Sequence, residues 1–150
     1  MLIEKILGNI NEENHFGKEQ IKVNFEWFEL AKKRIKKTAQ DGTEMGITVD
    51  TGFKDGDILA ETGDAVYVVD VLPVKLIKVK VNSMKEMGRA CFELGNRHLS
   101  PQINDNSVKV IYDEPTFLYM KKLGFEVNAV EEKFTDFIEC KAHGHSHEHE

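Results

Sequence analysis

Short apolar runs that alternate with polar residues, broken by Gly and Asp, fill the first half of the chain. Leu2-Ile3, Ile6-Leu7 and Ile21-Lys22-Val23-Asn24-Phe25 read as half-buried strands. Asp41-Gly42 separates Arg34–Ala39 from Met45–Val49 and predicts a hairpin, because glycine accepts the positive φ that such turns require. Asp55-Gly56-Asp57 and Thr62-Gly63-Asp64 bracket a short strand at Ile58-Leu59-Ala60. The run from Ala65 to Leu72, interrupted only by Asp70, reads as a more deeply buried strand. Short strands joined by Gly/Asp turns predict a small β-rich domain over residues 1–73.

The rhythm changes after Pro73. Leu76 to Val81 alternates as a strand, and Ser83 with Glu86 three residues later forms a capping-box pattern. Met84, Met87, Ala90, Cys91 and Leu94 then recur at helical spacing, with Gly95-Asn96 as the predicted stop. Gln102-Ile103, a turn at Asn104-Asp105-Asn106 and Val108–Tyr112 predict a hairpin. Pro115 opens a second helix that runs to Leu123 and is stopped by Gly124, and Phe125 to Phe134 contains a last strand. This order, βαββαβ, predicts a ferredoxin-like domain over residues 74–141 and an α+β fold overall. Residues 142–150 read as a disordered, histidine-rich tail, since nothing after Ala142 is apolar.

Composition narrows the function. The 150 residues carry 20 Lys plus Arg against 26 Asp plus Glu, a net charge of −6, which argues against nucleic acid as a partner. The basic cluster Lys32-Lys33-Arg34-Ile35-Lys36-Lys37 reads as the solvated side of one element, with a docking patch for an acidic partner as the alternative. No apolar run approaches the ~18 residues of a membrane span, and the start lacks the pattern of a signal peptide. Two cysteines, Cys91 and Cys140, give no disulfide framework, so a cytoplasmic protein is expected. Cys91 lies on the apolar stripe as a small core residue, and Cys140 reads as a bystander, although its place three residues before His143 is compatible with a shared metal. No nucleophile elbow, phosphate-binding loop or His-Glu-x-x-His word is present, which argues against an enzyme.

The histidines are the anomaly. Four of six, His143, His145, His147 and His149, alternate with Gly, Ser and Glu at the end of the chain. Neutral imidazole is a common ligand of borderline transition metals, and such tracts bind metal without a fold. Glu148 and Glu150 add carboxylate oxygen. His15 sits in a polar stretch and reads as a surface residue, whereas His98 closes the word Gly95-Asn96-Arg97-His98 just after the first helix.

Ser83-Met84-Lys85-Glu86-Met87-Gly88, leading to Gly95-Asn96-Arg97-His98 and ending in Gly144-His145-Ser146-His147, resembles the urease accessory protein E family. Asp41-Gly42-Thr43-Glu44 and Gly56-Asp57-Ile58-Leu59 stand where that family carries similar words. The resemblance spans essentially the whole chain. It implies a nickel metallochaperone: a peptide-binding-like N-terminal domain, a ferredoxin-like metal-binding domain, and a homodimer holding Ni²⁺ between two copies of His98. Tail histidines, best matched by His145 and His147, complete the implied site, while His143 and His149 lie outside the matched word. The implied partners are a urease-maturation GTPase and the apo-urease accessory complex. Histidine ligation also admits Zn²⁺ or Cu²⁺ in vitro, since the affinity order places copper above nickel and zinc close behind. A nickel or zinc storage protein without a delivery partner is the alternative.

Overall fold

A computed structural model describes residues 1–12 and 17–140. The chain divides into two compact units, one over Met1–Leu72 and a second starting at Pro73. It is an α+β protein, with a β-rich N-terminal unit and a C-terminal unit of βαββαβ order.

The first unit contains β1 (Leu2–Ile3), β2 (Gly8–Asn9), β3 (Glu19–Phe25), β4 (Arg34–Thr38), β5 (Glu44–Thr48), β6 (Asp57–Glu61) and β7 (Ala65–Val71). They form two sheets, of order β1-β5-β4 and β2-β6-β7-β3. The expected strand at Ile6-Leu7 is displaced: pairing with β6 takes Gly8 and Asn9 instead, and Leu7 contributes only its N–H, to Ile58 O at 2.9 Å. The β4–β5 hairpin turns at Gly42, whose φ of 91° suits glycine alone among common residues. Asp41 fastens that turn, accepting from Thr43 N–H at 2.9 Å and from the Tyr67 hydroxyl at 2.7 Å. The Tyr67 hydrogen bond, helped by the turn's backbone, holds the Asp41 carboxyl below its ordinary range. In the basic cluster Arg34 and Lys36 alternate outward from β4, while Lys37 turns inward onto Glu29 at 2.8 Å.

The second unit contains β8 (Pro73–Lys80), α1 (Met84–Asn96), β9 (Gln102–Ile103), β10 (Ser107–Ile111), α2 (Glu114–Lys122) and β11 (Glu126–Lys133). Its sheet has the order β11-β8-β10-β9 with every neighbour antiparallel, the ferredoxin-like arrangement. Period-two alternation puts Ile77, Val79, Val81, Val108 and Val110 on one face, where Ala90 and Leu94 of α1 and Met120 of α2 bury against them. Ser83 Oγ caps α1 by accepting from Glu86 N–H at 3.1 Å, and Asp113 caps α2 through Thr116 N–H at 2.9 Å. Glu86 reaches back one residue further than a capping box predicts, to Asn82 N–H at 2.6 Å. No helix among the described residues is long and apolar enough to cross a membrane.

Candidate metal centre

α1 stops at Asn96, as the Gly95-Asn96 pair predicts. Gly95 lies inside the helix, and the residue that turns the chain out is His98, with a left-handed φ of 61°. His98 N–H donates to Gly95 O at 2.9 Å and Leu99 N–H to Leu94 O at 3.2 Å. That pair of bonds is a Schellman motif with histidine at the position where glycine is the usual choice. Leu99 then packs onto the domain core, which supplies the apolar contact that accompanies the motif.

The residues flanking His98 fix it in place. Arg97 Nε donates to the buried Thr116 Oγ1 at 2.9 Å, and the Arg97 guanidinium lies 5.1 Å from the Tyr119 ring centre. The Tyr119 hydroxyl donates to Glu93 at 2.8 Å, tying α2 to the last turn of α1. This bond, then desolvation and the Glu93 charge, raises the Tyr119 phenol above its ordinary value, so the link persists through neutral and mildly alkaline pH. His98 itself is exposed. The result is an imidazole presented to solvent from a backbone held on both sides.

A non-glycine left-handed residue costs roughly 1 kcal/mol, although histidine is among the residues found there more often. His98→Gly is therefore expected to leave the metal-free protein as stable or more stable by about 0.5 to 1 kcal/mol in urea unfolding. A loss greater than about 1 kcal/mol would show that the ring supports the fold.

A second segment arrives beside this position. After β11, Phe134 is buried and Phe137 stacks on it, with ring centres 4.4 Å apart and planes inclined by 7°. Gln102 Nε2 donates to Thr135 O at 2.7 Å, Ile138 N–H to Pro101 O at 2.8 Å, and Cys140 N–H to Ser100 Oγ at 2.8 Å. The chain that leads into the histidine-rich end is thus strapped to the three residues that follow Leu99. No local pattern announces this strap, which joins positions 40 apart.

Elsewhere the expectations meet mixed outcomes. Cys91 is half-buried against the core, and burial pushes its thiol up. Met84, expected on the apolar stripe, is 91% exposed because it opens the helix beyond the reach of the sheet. Phe92, off the expected stripe, is 66% exposed. His15, His143, His145, His147 and His149 lie outside the described residues. Among the described residues, no three His, Cys, Asp or Glu side chains stand together as a metal site.

Two family models account for the chain. The model described as UreE urease accessory protein, N-terminal domain, matches residues 3–72, and its C-terminal domain counterpart matches residues 74–150. The chain belongs to the UreE urease accessory protein family. A urease accessory protein UreE of Bifidobacterium longum subsp. infantis is 49% identical over 144 residues, covering 95% of this chain and 65% of that protein. The relative from Acetivibrio thermocellus is 34% identical over 99% of both chains. That from Lysinibacillus sphaericus is 34% identical over 97% of this chain and 100% of its own length. This chain is therefore a UreE-family protein close in length to the last two relatives, whereas it spans about two-thirds of the first.

Proposed function

We propose that this protein is a nickel metallochaperone of urease maturation, acting as a homodimer that holds Ni²⁺ between two copies of His98. The observation that carries the reading is the position of His98: exposed, backbone-fixed, and beside the strap that leads into the histidine-rich end. Membership of the UreE urease accessory protein family supports urease as the destination of the metal.

One imidazole per chain is too few for Ni²⁺, which takes several nitrogen and oxygen donors. A two-fold axis beside His98 doubles the ligand, because an isologous interface repeats each residue. The tail supplies the rest: His143 follows Cys140 by three residues, so a span of at most roughly 10 Å separates it from the strapped position. His145, His147 and His149 follow at alternate positions, with carboxylates at Glu148 and Glu150. Sites built partly from tails suit exchange, whereas a structural metal site is closed. Delivery goes to a urease-maturation GTPase and the apo-urease accessory complex.

α1 offers a surface for the second copy. Phe92 projects with Gly88 one turn before it and Gly95 one turn after, and nothing lies within 4 Å of where a Cβ would stand at either glycine. A protruding ring between two gaps is self-complementary under two-fold symmetry. Phe92→Glu is expected to lower dimer affinity at least about 100-fold, read by sedimentation equilibrium with and without Ni²⁺. An unchanged dimer would place the axis elsewhere.

The tail's role is tested by deletion. Removing residues 143–150 is expected to leave the melting temperature and dimer mass of the metal-free protein nearly unchanged and to lower the number of Ni²⁺ ions bound. A truncated protein that unfolds or dissociates would contradict this.

A further inference from the structure

The flank of α1 that faces β9 is built from sulfur. Met84, Met87 and Cys91 follow at i, i+3 and i+7, which places them along one side of the helix. The Cys91 thiol donates to the Met87 thioether at 3.7 Å. Met87 and Cys91 are both half-buried, whereas Met84 is 91% exposed. Met84 and Met87 line an open cleft of about 570 Å³ together with Val81, Ile103 and Asn104.

We propose that Met84, Met87 and Cys91 form a binding site for a soft monovalent cation, Cu(I), separate from His98. Thiolate and thioether donors select Cu(I), while nickel bound through nitrogen and oxygen gains little from them. With metal–sulfur bonds of ~2.3 Å, neighbouring ligands of a three- or four-coordinate ion stand about 3.8 to 4.0 Å apart. The Cys91 and Met87 sulfurs already stand at close to that separation. Only Met84 has to move, and its exposed, unbranched side chain breaks no packing in doing so.

The step is a ligand exchange without redox change: Cu(I) forms a bond to the Cys91 sulfur, the S–H bond breaks, and the proton leaves to solvent. Desolvation keeps the thiol protonated at neutral pH, so uptake releases one proton per ion. The site has a consequence for imidazole ligands elsewhere on the chain. Copper outranks nickel on nitrogen donors, and a sulfur site that captures reduced copper leaves those nitrogens to nickel. The proposal does not rest on the nickel reading and fails or stands independently of it.

The experiment uses the full chain labelled with ¹³C at the methionine methyls, under reductant, titrated with Ag(I) as a non-oxidising stand-in for Cu(I). Five methyls report: Met1, Met45, Met84, Met87 and Met120. One equivalent is expected to shift Met84 and Met87 and to leave the buried Met45 and Met120 in place. Cys91→Ala is expected to abolish both shifts and to weaken silver binding at that site at least about 100-fold, with circular dichroism unchanged. Met87→Leu, which keeps the side-chain volume, guards against a folding effect and is expected to abolish the Met84 shift. Silence of either methyl at one equivalent, or a response that survives Cys91→Ala, would overturn the site.

Discussion

His98→Ala is expected to remove the tight nickel event from a calorimetric titration and leave only weak binding by the tail. The size of the effect follows from symmetry. In a dimer with the axis beside His98, one codon supplies two ligands, so one substitution deletes two imidazoles from the same ion. Loss of groups that merely orient a ligand weakens metal sites by about 10- to 100-fold, and loss of the ligands themselves is expected to exceed about 100-fold. His98 adopts a left-handed φ of 61°, where alanine is strained and glycine is not, so His98→Gly is the matched control. Both variants should lose the event, and the glycine variant should do so with an intact fold. Tight binding that persists in both would remove His98 from the site.

The fold was readable because most of its determinants are local. Alternation along Leu76–Val81 and Val108–Tyr112, the Ser83 and Asp113 caps, and the Asp41-Gly42 turn each act within a few residues of themselves. The misreadings lie where a distant partner decides. Gly95-Asn96 ends α1 as expected, but the left-handed turn that follows falls on His98, where the half-buried Leu99 packs against the core. Leu7 and Gly8 compete for β6, and the ladder settles on Gly8. The candidate site shows the same division. The word Gly95-Asn96-Arg97-His98 marks the ligand, but its anchoring by Thr116 and the strap at Ser100 depend on contacts 19 and 40 positions away. Sequence spacing carries no record of either.

Nickel is expected to be lost between about pH 7 and pH 5. A protonated imidazole has no lone pair to give, and a free histidine titrates near ~6.5. From pH 7 to pH 5 the deprotonated fraction of such a group falls about 25-fold, so two ligand histidines cost roughly 600-fold in apparent affinity and each further one multiplies the loss. The sign is fixed by competition: acid favours the metal-free, protonated form, and alkali favours the complex. Within the tail, the neighbouring carboxylates of Glu148 and Glu150 stabilise imidazolium, which moves release of its histidines toward the upper end of the window. Release by the tail should therefore form an early stage that the truncated chain lacks. Nickel titrations at pH 8, 7, 6 and 5, on the intact chain and on the chain lacking residues 143–150, separate the stages. The intact chain should show the steeper dependence. A dissociation constant flat across that range would mean that the ligands are not imidazoles, and the metal site would then have to be rebuilt around Cys140 and the carboxylates.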